Sequence, residues 1–145
     1  MLRKSGITPV CVELNKEYGL PPYLNKVPSN AVNKIGMPLE EVLNYIEHSE
    51  FYIGLGSGMT WVAHALGKPV AMISNFSKDW AEFDISTKDY KRINNTSVCH
   101  GCWNTHDFDA EDWYWCPEHK NTDRQFECHT SITPKQVFNE IKEWI

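Results

Sequence analysis

Four cysteines in one aromatic-rich stretch have the spacing of a metal site. They follow the pattern C-x2-C-x13-C-x11-C and are Cys99, Cys102, Cys116 and Cys128. A Cys-x2-Cys pair lets two sulfurs reach one ion from a single turn, and two later cysteines complete a tetrahedral shell. A complete shell leaves no position for water, so the spacing predicts one structural metal ion. Sulfur ligands suit zinc or iron, and the spacing does not separate these two metals.

Two other interpretations of these cysteines are disulfide bonds and unconnected thiols. The N-terminal residues MLRKSGITPV contain no apolar segment of signal-peptide length, so we expect a cytoplasmic protein whose thiols stay reduced. Pairing would also leave one of the five cysteines over. The fifth, Cys11, lies in an apolar run of a predicted strand and is typical of a small core residue. The metal site is therefore the favoured interpretation.

The composition excludes several classes of function. The 145-residue chain carries 14 basic against 19 acidic residues, a net charge of −5, and its basic residues are scattered instead of forming a phosphate-binding surface. We therefore expect no nucleic acid partner. No apolar run approaches the roughly 20 residues that a membrane-spanning helix needs, so we expect no membrane span. The length fits a single domain.

The regular elements predict an α/β fold. Apolar and β-branched runs predict strands at residues 9–14, 31–35, 51–53 and 70–73, and helical periodicity predicts helices from residue 38 and at residues 60–66. The rest of residues 15–36, rich in Pro, Gly and Asn, predicts loops. Residues 76–131 have neither period, and a bound metal can organise such a region. Near the C-terminus, Thr133, Pro134 and Gln136 predict a capped helix. The order strand, helix, strand over residues 51–73 predicts a βαβ unit.

The turn inside this βαβ unit, residues 54–58 with the sequence Gly-Leu-Gly-Ser-Gly, is a candidate anion site. In a parallel unit the turn lies beside the helix N-terminus, where free backbone N–H groups and the positive end of the helix dipole attract an anion. Gly56 and Gly58 permit the close approach of a phosphate, and the hydroxyls of Ser57 and Thr60 can donate hydrogen bonds. The alternative is that the glycines only allow tight packing of strand against helix.

Several motifs together resemble one enzyme family. The stretch FYIGLGSGMTWVAHALGKPVAMISNFS, followed by VCHGCWN, DWYWCPEHK and RQFECHTSITP, is similar to the C-terminal part of the bacterial autotransporter heptosyltransferases. These enzymes are relatives of the lipopolysaccharide heptosyltransferases, have two Rossmann-like domains and move heptose from ADP-heptose onto serine hydroxyls of a surface protein. The resemblance implies that residues 1–145 form a single, partial Rossmann-like, nucleotide-sugar-binding domain with a four-cysteine metal knuckle at residues 99–128.

The resemblance also implies roles for individual residues. It places an iron ion with a structural role at the four cysteines. It places the donor diphosphate against Ser57, Gly58, Met59 and Thr60. It places Met37 near the nucleobase, where the alternative is that this residue only forms the entry to the helix that follows.

The resemblance finally implies parts of the enzyme that this chain lacks. We find no candidate for the catalytic base, for the N-terminal acceptor domain or for the first strand of the C-terminal domain, so no catalytic residue is assigned. We expect a domain that binds a nucleotide-diphosphate sugar for transfer to a protein acceptor and is not active alone. One alternative is a structural metal-knuckle interaction module without catalytic activity. Another is a homodimer, in which each copy covers the other's exposed sheet edge.

Overall fold

The computed structural model describes residues 1–13, 27–82 and 89–145. These residues group into two compact units, Met1–Ser49 with Ile145, and Glu50–Trp144. The prediction of one domain stays a prediction, and the loop predicted for residues 15–26 lies outside the described residues. In the described ranges, no helix is both long and apolar enough to cross a membrane.

The first unit contains a pair of parallel strands and one amphipathic helix. Strand β1 (Val10–Glu13) pairs in parallel with β2 (Val32–Ile35), so both predicted strands are confirmed. Helix α1 (Leu39–Glu47) follows, as the periodicity predicts, and carries two glutamates in its first turn, where the helix dipole favours negative charge. Its apolar residues Val42 and Ile46 are buried. Cys11 on β1 is half-buried, which agrees with a packing role.

The second unit is built on a parallel sheet. Strand β3 (Tyr52–Leu55), helix α2 (Gly58–Ala65) and strand β4 (Val70–Ile73) form the predicted βαβ unit, with β3 parallel to β4. A third strand, β5 (Tyr90–Ile93), lies parallel to β4 on its other side, which gives the order β3-β4-β5. The predicted α/β fold with parallel sheets is therefore confirmed. The carboxyl ends of all three strands lie at one edge of this sheet.

The core of the second unit lies around the central strand. Val70, Ala71 and Met72 of β4 are fully buried, together with Ile93 of β5 and Ile141. Two short helices complete the unit: α3 (Glu127–Thr130) and α4 (Pro134–Glu140), of which α4 packs against β4 and β5. Strand β4 is apolar along its whole length, which is typical of a parallel strand that is buried on both faces of its sheet.

Helix α4 begins as predicted, with one difference at its cap. The Thr133 hydroxyl accepts a hydrogen bond from the backbone N–H of Gln136 at 3.2 Å, and Pro134 is the first helical residue. The Gln136 side chain does not return to Thr133. It donates to the backbone carbonyl of Asn94 at 3.0 Å, so the predicted capping box is half formed. The glutamine instead fastens the helix to the segment after β5.

Two boundaries in the second unit differ from the sequence prediction. Helix α2 begins at Gly58, two residues before the predicted start, because Ser57 in an extended conformation is its N-cap. Strand β5 lies in the region for which no strand was predicted. Its sequence Tyr-Lys-Arg-Ile carries two charges, and Arg92 is nonetheless largely buried through contacts with the loop after β4.

Candidate donor loop and metal centre

The donor loop, residues 54–60, connects the carboxyl end of β3 to the N-terminus of α2. Ser57 is the N-cap of α2, with φ −150° and ψ 168°, and its carbonyl accepts the N–H groups of Thr60 and Trp61 at 3.1 and 3.3 Å. Its exposed hydroxyl makes no capping bond. Within the described residues, the backbone N–H groups of Gly58 and Met59 have no hydrogen-bond partner. The loop therefore presents unfilled donors at the positive end of a helix.

Thr60 differs from the other predicted donor-loop residues. It is fully buried, and its hydroxyl donates to the backbone carbonyl of Leu55 at 2.5 Å. This bond ties the first turn of α2 to the last residue of β3. The prediction that Thr60 contacts a diphosphate stays a prediction, and in this structure its hydroxyl holds the shape of the loop.

The glycines of the donor loop have different surroundings. A Cβ atom at Gly54 would lie 2.5 Å from both the Thr60 hydroxyl oxygen and the Tyr52 ring, so Gly54 allows tight packing of strand against helix. A Cβ atom at Gly58 would meet nothing within 4 Å. The packing interpretation of the glycine turn therefore applies at Gly54, and the anion-site interpretation stays a prediction. Gly54 serves packing, whereas Gly58 faces open space at the helix N-terminus.

Met37, the predicted nucleobase contact, lies in the first unit. It follows Gly36, whose φ is 76°, and lies two residues before the first residue of α1. It is half-buried. Its role at a nucleobase stays a prediction.

The first two predicted metal ligands are placed as one ion needs them. The Sγ atoms of Cys99 and Cys102 lie 3.7 Å apart. Metal–sulfur bonds of about 2.3 Å in a tetrahedron give sulfur–sulfur distances of about 3.8 Å. Between the two cysteines, Gly101 has φ 75°, a left-handed conformation that suits glycine and turns the chain tightly. This pair therefore fits two ligands of a tetrahedral site.

The other two cysteines lie within electrostatic range of this pair. Burial, a hydrogen bond with Cys99 and the charges of Cys99, Cys128 and Cys116 together raise the pKa of Cys102 to about 12. Burial and the charges of Cys116 and Cys99 together raise the pKa of Cys128 to about 11. A cation bound at Cys102 and Cys128 would lower these raised pKa values, because a bound cation stabilises thiolates.

The four sulfurs are not assembled as a complete coordination shell. In the described part of the chain, no group of three or more His, Cys, Asp or Glu side chains is placed to hold a metal ion. The Cys128 sulfur lies 3.2 Å from Nδ1 of His129, and all four thiols are free. The metal knuckle predicted from the spacing is therefore not shown as a whole. The Cys99–Cys102 pair alone has the sulfur–sulfur distance of two metal ligands among the described residues.

Two polar residues that the sequence analysis did not identify hold the cysteine segment, residues 99–128. Asn75, 1% exposed, follows β4 and donates to the backbone carbonyl of Cys128 at 2.8 Å, while its own backbone carbonyl accepts from Gly101 N–H at 2.7 Å. Glu127 accepts from the backbone N–H of Cys99 at 3.4 Å and pairs with Arg124, whose hydrogen bond lowers the pKa of the Glu127 carboxyl. Both contacts span many residues, so no local sequence signal identifies them.

Aromatic rings cover one side of the cysteine segment. Phe76, Trp103, Phe108 and Trp115 form a cluster with ring centroids 4.5 to 5.9 Å apart. The many aromatic residues of this segment, among them Trp103, Trp113, Tyr114 and Trp115, predict a cover over the metal sulfurs; that role stays a prediction, and Trp103 and Trp115 pack in this cluster. Trp113 is 61% exposed.

Two histidines of the segment pair with carboxylates, His106 with Glu118 at 2.8 Å and His119 with Glu127 at 3.5 Å.

Known proteins resemble the chain over nearly its whole length. It is 42% identical over 139 residues to the autotransporter heptosyltransferase BAHTCr of Citrobacter rodentium, which covers 94% of this chain and 33% of that protein. It is 41% identical over 145 residues to the autotransporter heptosyltransferase TibC of Escherichia coli, which covers 98% of this chain and 35% of that protein. No protein-family model matches the sequence.

A solved structure extends this similarity to the fold. The crystal structure of dodecameric iron-containing heptosyltransferase TibC in complex with ADP-D-beta-D-heptose matches with a TM-score of 0.87 and 40% sequence identity, over 99% of this chain and 37% of that chain. The chain thus spans about a third of the length of the relatives it matches. By sequence and by fold, it is related over nearly its whole length to the autotransporter heptosyltransferase family.

Proposed function

We propose that this chain forms the donor-binding region of a glycosyltransferase and binds a nucleotide-diphosphate sugar of the ADP-heptose type. The donor loop carries this proposal. Its unfilled N–H groups at Gly58 and Met59 and the free hydroxyl of Ser57 lie at the N-terminus of α2, at the carboxyl edge of a parallel sheet. Such edges are where α/β folds bind nucleotides, and helix N-termini attract phosphate. The ADP-heptose bound by the related TibC structure supports the choice of ligand.

The sugar would be transferred to a hydroxyl of a protein acceptor, and this chain is not active alone. Such a transfer needs a base beside the acceptor hydroxyl and positive charge at the departing diphosphate. Neither lysine near the donor loop in sequence supplies that charge. Lys68 follows the C-terminal end of α2, and the aliphatic part of Lys78 packs against Gly101. Neither the base nor the charge is thus assigned to a residue, which is why we propose no activity for this chain alone.

One structural metal ion is the second part of the proposal. Cys99, Cys102, Cys116 and Cys128 would hold iron or zinc, and the iron in the related TibC supports iron. The ion would join the two ends of the cysteine segment, which has little regular secondary structure to stabilise it. Its chemistry is that of a cross-link, because four sulfurs leave no open position for a substrate.

Thermal unfolding with and without ADP tests donor binding. At a concentration of about 100 times its dissociation constant, a ligand stabilises the folded state by about 2.7 kcal/mol. We expect the melting temperature of the wild-type chain to rise with millimolar ADP, and the rise to be lost in Gly58→Asp, which places a carboxylate where the phosphate would bind. Glu140→Gln, an exposed change on α4, is the control and should keep the full rise. An unchanged wild-type melting temperature would favour a metal-knuckle interaction module instead.

A further inference from the structure

A buried polar cluster lies behind the donor loop. We call Ser74, Ser77, Glu82 and Arg92 the Glu82 cluster. Ser74 and Ser77 are 1% and 5% exposed, and their hydroxyl oxygens are 3.4 Å apart. The Ser77 hydroxyl donates in turn to Oε1 of the half-buried Glu82. The buried hydroxyl of Ser77, on the loop after β4, thus orients the Glu82 carboxylate.

The Glu82 cluster touches the backbone of the donor loop. A Cβ atom at Gly56 would lie 2.9 Å from the Ser74 hydroxyl oxygen and 3.4 Å from Oε1 of Glu82. Gly56 is two residues before Gly58, and two residues of extended chain span at most about 7 Å. The carboxylate of Glu82 therefore lies within about 10 Å of the unfilled N–H group of Gly58, a separation that a diphosphate and a sugar ring can span.

Arg92 supplies a buried positive charge with unfilled donors. Its side chain is 5% exposed, and Nη2 donates to the backbone carbonyl of Ser77 at 2.6 Å. Its buried Nε and Nη1 atoms have no well-aligned acceptor among the described residues, but Nε forms an ion pair with Oδ1 of Asp79 at 3.1 Å, and the side chain also contacts the Tyr90 hydroxyl. Buried donors without acceptors are unfavourable. The ion pair with Asp79 and the contact with Tyr90 offset this cost, so Arg92 is a fixed positive charge that holds Ser77 in place.

The charge of the cluster selects the kind of ligand. An ionised carboxylate only accepts hydrogen bonds, and in the described residues Oε2 of Glu82 has no partner. A phosphate placed directly on Glu82 would be repelled, whereas neutral hydroxyl groups can donate to it. The serine hydroxyls beside it can both donate and accept. These properties match a polyhydroxylated ring held next to a diphosphate.

We propose that the Glu82 cluster binds hydroxyl groups of the sugar in the nucleotide-sugar donor, with Glu82 as the direct acceptor and with Ser77 and Arg92 as positioning residues. This assignment rests on the proposed function, because it takes the diphosphate to lie on the donor loop. It makes Glu82 the residue that distinguishes the nucleotide sugar from the nucleotide alone.

Calorimetric titration of ADP and of ADP-D-beta-D-heptose into wild type and Glu82→Gln tests this assignment. The variant keeps the shape of the side chain and removes its charge. We expect its affinity for ADP-D-beta-D-heptose to fall about tenfold or more, as for the loss of hydrogen bonds to a charged group, while its affinity for ADP stays within about twofold of wild type. Glu140→Gln is the matched control and should leave both affinities unchanged.

The possible results separate this assignment from the proposed function. If wild type binds ADP and Glu82→Gln weakens both ligands equally or neither, the sugar subsite is overturned and donor binding stands. If wild type binds neither ligand, donor binding fails and the subsite fails with it. The subsite is supported only if Glu82→Gln loses affinity for ADP-D-beta-D-heptose and keeps its affinity for ADP, while the melting temperature of the ligand-free variant equals that of wild type.

Discussion

Replacing Asn75 by alanine is expected to destabilise the fold by about 2–4 kcal/mol, because one buried amide joins three segments. Its Nδ2 donates to the backbone carbonyls of Asn95 at 2.9 Å and Cys128 at 2.8 Å, and its Oδ1 accepts from the Asn95 N–H at 2.9 Å. The side chain thereby connects the end of β4, the segment after β5 and the helix that carries the last predicted metal ligand.

The magnitude follows from the number of bonds and their burial. Three hydrogen bonds with a net contribution of about 1 kcal/mol each give about 3 kcal/mol. The substitution leaves backbone groups of Asn95 and Cys128 without their partner. The loss of stability is larger if these groups stay buried without water, and it is smaller if a water molecule takes the place of the Asn75 side chain. For a chain of 145 residues, about 3 kcal/mol corresponds to a fall in melting temperature of about 10 °C.

Urea unfolding of wild type and variant, followed by circular dichroism, measures this loss. Asn94→Ala is the matched control, because that side chain donates one exposed hydrogen bond, to Asp79 at 3.2 Å. The control should lose less than about 0.5 kcal/mol. A loss below about 1 kcal/mol for Asn75→Ala, with an unchanged slope against urea, would refute the assignment of Asn75 as the joint between sheet and cysteine segment.

Three further changes test other parts of the account. Cys102→Ser should abolish metal binding and unfold at least residues 99–128, whereas the control Cys11→Ser should keep the metal. Elemental analysis measures the metal content, and near-ultraviolet circular dichroism measures the folding of the segment. A Cys102→Ser protein with its full metal content would contradict the four-cysteine site. Gly54→Ala should destabilise by about 1–3 kcal/mol through overpacking, while Gly58→Ala should unfold at the same urea concentration as wild type or a higher one. Thr133→Ala should lose about 1 kcal/mol with its helix cap, and an unchanged urea midpoint would show that the cap is not needed.

Local patterns in the sequence predict most of the regular elements. Strand β4 has the predicted bounds, Val70–Ile73, because a continuous apolar run between Gly-Lys-Pro and polar residues has few other interpretations. Helix α4 begins where Thr133 and Pro134 predict it. These successes rest on residues whose preferences act within one turn or one strand.

The remaining features depend on contacts between distant residues. Strand β5 is missed because the burial of its charged Arg92 depends on contacts with Ser77 and Asp79, which lie on another loop. Asn75 and Glu127 are missed for the same reason, since their partners are 20 to 53 and 28 residues away. The cysteine spacing predicts four ligands, but it does not place Cys128, whose position depends on the Asn75 bond.

Amide chemical shifts of the chain during titration with ADP test donor binding most directly. The backbone N–H groups of Gly58 and Met59 are unfilled in the described structure and would donate to the diphosphate. In nitrogen-15 correlation spectra of zinc-loaded protein, these two amides should show the largest shifts of the chain at saturating ADP. Unmoved Gly58 and Met59 amides at millimolar ADP would contradict the proposal that the donor loop binds a nucleotide diphosphate.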